Sequence, residues 1–98
     1  MDLRTETTDR LFEAILNLES IEDCYRFFED VCTIKELQDL SQRFHIAALL
    51  HQGKNYQSIA KEVDTSTTTI SRVNHCLQYG SGGYRAAFDK LRAMREVP

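Results

Sequence analysis

Proline is almost missing from this 98-residue chain; the one it has is Pro98, the last residue, so no interior helix is kinked by a ring or a lost amide. Cysteine is scarce too. Cys24, Cys32 and Cys76 are odd in number and too scattered for a zinc spacing or a CxxC redox pair, and they are expected to be reduced, mostly buried small side chains. His45, His51 and His75 form no ligand cluster, and His45 and His51 stand on one helix without an HExxH pattern, so no metal is expected. No apolar run reaches membrane-spanning length. The opening MDLRTETTD lacks the basic and hydrophobic blocks of a secretory signal, and a cytoplasmic protein with no membrane partner is expected. Catalytic constellations are absent as well. His75 and Cys76 are neighbours on a helix and point about 100° apart, which prevents a direct nucleophile-base pair. The glycine run Gly80-Ser81-Gly82-Gly83 follows a helix instead of joining a strand to one, so it is no phosphate cradle. No enzyme and no catalytic residues are expected.

What the chain has is helical periodicity throughout, and the reading is all-α. Its 42% apolar residues suit one small domain with little burial to spare. Residues 1–6 read as a flexible N-terminus and residues 7–98 as a single helical domain. Helix one is expected from Thr8 to Leu18, apolar over much of its girth through Leu11, Phe12, Ile15, Leu16 and Leu18. Ser20 then opens helix two, which runs to about Val31 with Ile21, Cys24, Tyr25, Phe27 and Phe28 again exceeding a single stripe. Apolar faces this wide are difficult to cover inside one short protomer, which predicts interleaving with a second copy. Thr33-Ile34-Lys35-Glu36 reads as a capping box that starts a long third helix ending near Gln52-Gly53. Its apolar faces are Leu37, Leu40, Phe44, Ala47 and Ala48 on one side, Ile46 and Leu50 on another. After the glycine run a last helix is predicted from Tyr84 to about Arg95 through Ala87, Phe88 and Leu91, with Val97 and Pro98 frayed.

Between these lies the most informative stretch, Asn55 to Tyr79, which reads as a helix, a tight turn and a second helix. Apolar residues at Tyr56, Ile59, Ala60 and Val63 recur at helical spacing, and Ile70, Val73 and Leu77 resume the pattern after Asp64-Thr65-Ser66. Ala60 lets the two helices approach closely, Asp64 tolerates a left-handed turn, and Ser66 caps the second helix. The second helix divides into three sectors: an inward Ile70, Val73 and Leu77; an outward stripe of Thr67, Thr68, Ser71, His75 and Gln78; and a flank of Thr69, Arg72 and Cys76. Hydroxyls on such a stripe can donate or accept at base edges, and a Thr methyl can meet a thymine methyl. A helix-turn-helix at 55–79 places this second helix in the major groove of double-stranded DNA.

A net charge of −3 is the wrong sign for a partner of a polyanion, but its distribution resolves the conflict. Residues 1–40 hold 4 Lys/Arg against 11 Asp/Glu, a balance of −7, whereas residues 41–98 hold 8 against 4, a balance of +4. The half that carries the reading helix is the basic one. Base contacts are expected from Thr67, Thr68 and Ser71, with Gln57 at the edge, and backbone contacts from Lys54, Lys61, Arg85 and Arg43. With so few cations, binding should be modest and strongly salt-dependent.

The segments SQRFHIAALLHQGKNYQSIAKEV, Ser41 to Val63, and TTISRVNHCLQYGSGGYRAAF, Thr68 to Phe88, resemble the Trp-repressor-related proteins, in particular the YerC/YecD branch. With the helical N-terminal region included, the likeness covers nearly the whole chain. It implies about six helices in an intertwined homodimer that binds operator DNA. It also implies a candidate effector site, since the best-known member holds tryptophan between two arginines that match Arg43 and Arg72, with Thr69 and Cys76 on the same flank. An arginine pair can clamp a carboxylate and stack on a ring. Two departures argue against tryptophan itself: Val73 stands where that member has Gly, and Cys76 replaces a small hydroxyl-bearing residue. A smaller effector, or none, is the expectation. Arg43 and Arg72 read equally well as structural or phosphate-contacting cations. The function expected is therefore a dimeric, repressor-like transcription regulator; the alternative is a helical dimeric interaction protein that has lost DNA binding. The stripe discriminates between them, because an interaction surface would expose aromatic or long aliphatic anchors where Thr67, Thr68 and Ser71 stand.

Overall fold

A computed structural model describes residues 2–96, which form six helices and, among the described residues, no strand: α1 (Glu6–Leu16), α2 (Ile21–Val31), α3 (Ile34–His51), α4 (Tyr56–Val63), α5 (Thr67–Tyr79) and α6 (Gly83–Glu96). The predicted fraying of Val97 and Pro98 lies outside the described residues. The chain forms two compact units, Met1–Leu37 and Gln38–Pro98. No described helix is long and apolar enough to cross a membrane.

In the first unit local hydrogen bonding sets the helix starts. The Thr5 side chain accepts from the Thr8 amide at 3.1 Å, so α1 opens two residues before the expected Thr8. It stops at Leu16, with the Asn17 side-chain amide donating to the Glu13 carbonyl at 2.7 Å. Ser20 caps α2 by accepting from Asp23, as its position predicts. The capping box is reciprocal: the Thr33 amide donates to Glu36 Oε1 at 2.8 Å and the Glu36 amide to Thr33 Oγ1 at 3.1 Å. No residue of α1 or α2 is buried.

All the buried side chains among the described residues fall in the second unit: Ile46, Ala47 and Leu49 on α3, Ile59 on α4, and Ile70, Val73 and Leu77 on α5. Leu49 was absent from the expected faces of the central helix, yet it is nearly sealed. The inward sector of the second motif helix is as predicted. Each fully buried isoleucine contributes about 1.5–3 kcal/mol by leaving water. Phe44, Tyr84 and Phe88 hold α6 to α3, with the Phe44 and Phe88 rings centred 5.1 Å apart and His51 stacked on Phe88 at 5.0 Å. The glycine run ends α5 where expected. Gly80 caps it through its amide to the Cys76 carbonyl, and Gly82 adopts φ +86.

The expected burial of the cysteines is wrong. Cys24 and Cys76 are exposed and Cys32 is half-buried. The reason is that α2 buries none of its residues, while Cys76 lies on the flank of α5 that its own core leaves open.

Candidate nucleic-acid interface

The two-helix motif is fixed by three local devices. Asn55 Oδ1 accepts from the Ser58 amide at 2.8 Å and starts α4. Asp64 takes the left-handed conformation, φ 55 and ψ 57, so that its own amide and that of Thr65 turn back to the Ala60 carbonyl. Ser66 Oγ then accepts from the Thr69 amide at 3.2 Å and starts α5. Ile59 and Ile70, both fully buried, lock the helices across this turn. A left-handed Asp can form because the bend is needed only once and Asp bears that backbone better than most residues.

With the inward face so pinned, Thr67, Thr68, Ser71, His75 and Gln78 all emerge exposed on α5. Thr67, Thr68 and Ser71 line a hollow of about 410 Å³ together with Tyr56 and Arg72. Two members of that set come from outside the outward stripe. Tyr56 packs half-buried against the core, as its inward apolar reading expects, and at the first turn of α4 its ring also borders the hydroxyls. Arg72, assigned to the effector flank, shares the hollow with the outward stripe. The signal for Tyr56 was present in its polar tip and its place directly after the Asn55 cap.

The expected cations differ in their engagement. Lys61 and Gln57 are exposed on α4, with Lys61 in its last turn. Lys54 lies 3.5 Å from Glu62, an exposed pair of the kind that costs little to open. Arg85, expected to contact phosphate, is engaged within the chain. Its Nε donates to the Leu77 carbonyl at 3.3 Å and its Nη2 to Gln78 Oε1 at 3.0 Å, so both it and Gln78 are occupied at the end of α5.

Of the four expected effector residues, Cys76 lines a groove of about 460 Å³ with Phe44, Tyr84 and the glycine run, while Arg72 lines the hollow beside Thr67, Thr68 and Ser71. Thr69 and Arg43 line neither; the Thr69 hydroxyl instead sits 3.2 Å from Ser66 Oγ, inside the cap of α5. Among the described residues no group of His, Cys, Asp or Glu is arranged to hold a metal ion.

The profile of the Trp repressor protein family matches residues 6–92. An uncharacterized protein of Bacillus subtilis, YerC, is 48% identical over 90 residues, which span 92% of this chain and 86% of that protein. A TrpR-like protein of Eubacterium eligens superposes with a TM-score of 0.87 at 48% identity, covering 91% of this chain and 92% of its own. A candidate Trp repressor of Staphylococcus aureus gives the same TM-score at 47% identity, over 92% of this chain and 90% of its own.

Proposed function

The chain belongs to the Trp repressor family, and from that premise we propose that it is a sequence-reading, DNA-binding transcription regulator that works as a homodimer. The observation that carries this reading is the exposed set Thr67, Thr68 and Ser71, gathered with Arg72 and Tyr56 around one hollow on a helix whose opposite face is locked in the core. The hydroxyls supply base-edge contacts, Arg72 adds charge beside them, and Lys61 with Gln57 flanks the duplex backbone. Lys54 joins them by leaving Glu62 for phosphate.

Two reading heads are needed because one helix of this length covers only a few base pairs. Support for a second copy comes from the first unit, where Leu16 is 83% exposed, Ile21 77% and Ile34 80%. Such side chains are covered at low cost by the same face of another protomer. Twinned heads would then meet successive major grooves about one helical turn apart.

The test is a salt-resolved titration against two probes: a duplex that the wild-type chain enriches from a randomised library, and a random duplex. Thr68→Ala should lower affinity for the enriched duplex by about five- to tenfold and leave the random one unchanged. Lys61→Ala should weaken both equally and reduce the log–log salt slope by roughly 0.9. Equal wild-type affinity for both probes would remove the sequence-reading claim.

A further inference from the structure

Arg85 sits at the wrong end of its own helix. It belongs to the first turn of α6, where the helix dipole disfavours a cation, and that turn offers no acid to offset it. The last turn of α5, conversely, has carbonyls in need of donors and no basic residue of its own. The Gly80 amide takes the Cys76 carbonyl, and Arg85 Nε takes the next one, Leu77. The Nε and Nη2 groups share one edge of the planar guanidinium, and that edge grips a backbone carbonyl and the Gln78 side chain on consecutive residues.

We propose that Arg85 is a positioning residue for DNA reading: by clamping the last turn of α5 it sets the pitch of the hydroxyl stripe, and it governs selectivity between duplexes instead of grip on phosphate. The inference rests on the DNA-reading function proposed above. It has a chemical corollary at Gln78. An arginine only donates, so the atom facing it is Oε1, which spends one of its two lone pairs there, while the amide nitrogen stays free for DNA. Gln78 therefore shares its acceptor between Arg85 and any bidentate contact to adenine, which weakens that mode, and keeps both amide N–H groups for a base acceptor or a phosphate.

Lysine at position 85 keeps the charge but has no planar fork, which separates clamping from charge. Arg85→Ala and Arg85→Lys should each lower the ratio of enriched-duplex to random-duplex affinity about tenfold, leaving random-duplex affinity and its salt slope as in the wild type. In the free protein, amide exchange at Gln78, Tyr79 and Gly80 should accelerate about tenfold in both variants, with Ile70 unchanged. A preserved ratio in either variant overturns the proposal. So does a loss of roughly 0.9 in salt slope with Arg85→Ala that Arg85→Lys restores, the signature of a phosphate contact. If the wild-type chain enriches no duplex, the regulator reading fails. The exchange measurement then judges the clamp by itself: an unaltered last turn overturns it and a faster one sustains it.

Discussion

In Met1–Leu37 all three helix starts are capped by a side chain, two exposed i,i+4 ion pairs link Arg10 to Glu6 and Arg26 to Glu22, and no described side chain is buried. In Gln38–Pro98 the caps are joined by a sealed cluster that runs from Ile46 through Ile59 to Ile70. Caps contribute about 1 kcal/mol each and exposed pairs less, so local bonding of this kind specifies helices without holding a unit together. The second unit has its own reason to stay folded. The first leaves its apolar side chains largely exposed, and it is also the acidic part of the chain, which suits the assembly role proposed for it better than contact with phosphate.

The largest expected difference follows from that contrast. Ile70→Ala should cost about 2–5 kcal/mol in denaturant unfolding, because a fully buried side chain leaves both lost transfer energy and a cavity. The double change Leu16→Ser, Ile21→Ser removes side chains that lie largely in water in one protomer, and should leave the protomer's own core intact. Its effect should appear as a fall in midpoint that grows on dilution, since stability shared between copies depends on concentration. Sedimentation of the wild type as a protomer, with a midpoint insensitive to both dilution and the double change, would break the comparison.

Legibility in the sequence divides along the same line. The caps at Ser20, Thr33 with Glu36, and Ser66, the left-handed Asp64 and the glycine stop were all visible, because each depends on residues within about four positions. The inward sector of α5 was visible because periodicity reports one buried face. The TrpR-like architecture came from the resemblance of Ser41–Val63 and Thr68–Phe88, and the match over residues 6–92 agrees with it. What was hidden is tertiary. Leu49 is buried by partners distant in sequence, Arg85 meets Leu77 across eight positions, and Tyr56 borders the hydroxyls of α5 only once α5 folds back over α4. Exposed cysteines were misread because a small apolar side chain carries no local sign of whether its face is covered.

A smaller difference is expected where helices end. Gly80 has φ −82, outside the left-handed region, but a Cβ there would run into the backbone carbonyl oxygen of Cys76, and neither atom is the tip of a flexible side chain. Gly80→Ala should therefore cost about 1–3 kcal/mol and disturb the last turn of α5. The end of α1 contains no such constraint: Asn17→Ala removes one exposed side-chain bond to Glu13 and should cost about 0.5 kcal/mol. Thermal unfolding of the two variants measures the gap. Equal costs would show that the second unit's helix ends are no more tightly specified than the first's.

The smallest effect probes the local order of the first unit directly. The Thr33 backbone amide, and after it the Thr33 hydroxyl, hold the Glu36 carboxyl below its ordinary range. A carboxyl whose pKa falls on folding stabilises the folded state above its unfolded pKa, and that contribution disappears as pH drops through the lowered, folded value. Glu36→Gln should accordingly unfold more easily than the wild type at neutral pH, and the two should converge in acid, once the wild-type carboxyl is itself neutral. Glu36 is fully exposed, so the difference is small and is best read at the start of α3, from amide exchange at Glu36 and Leu37 across the acid range. A gap that stays constant into acid would assign the effect to side-chain shape and not to charge at the cap, and the first unit's helix starts would then owe less to electrostatics than the geometry of Thr33 and Glu36 indicates.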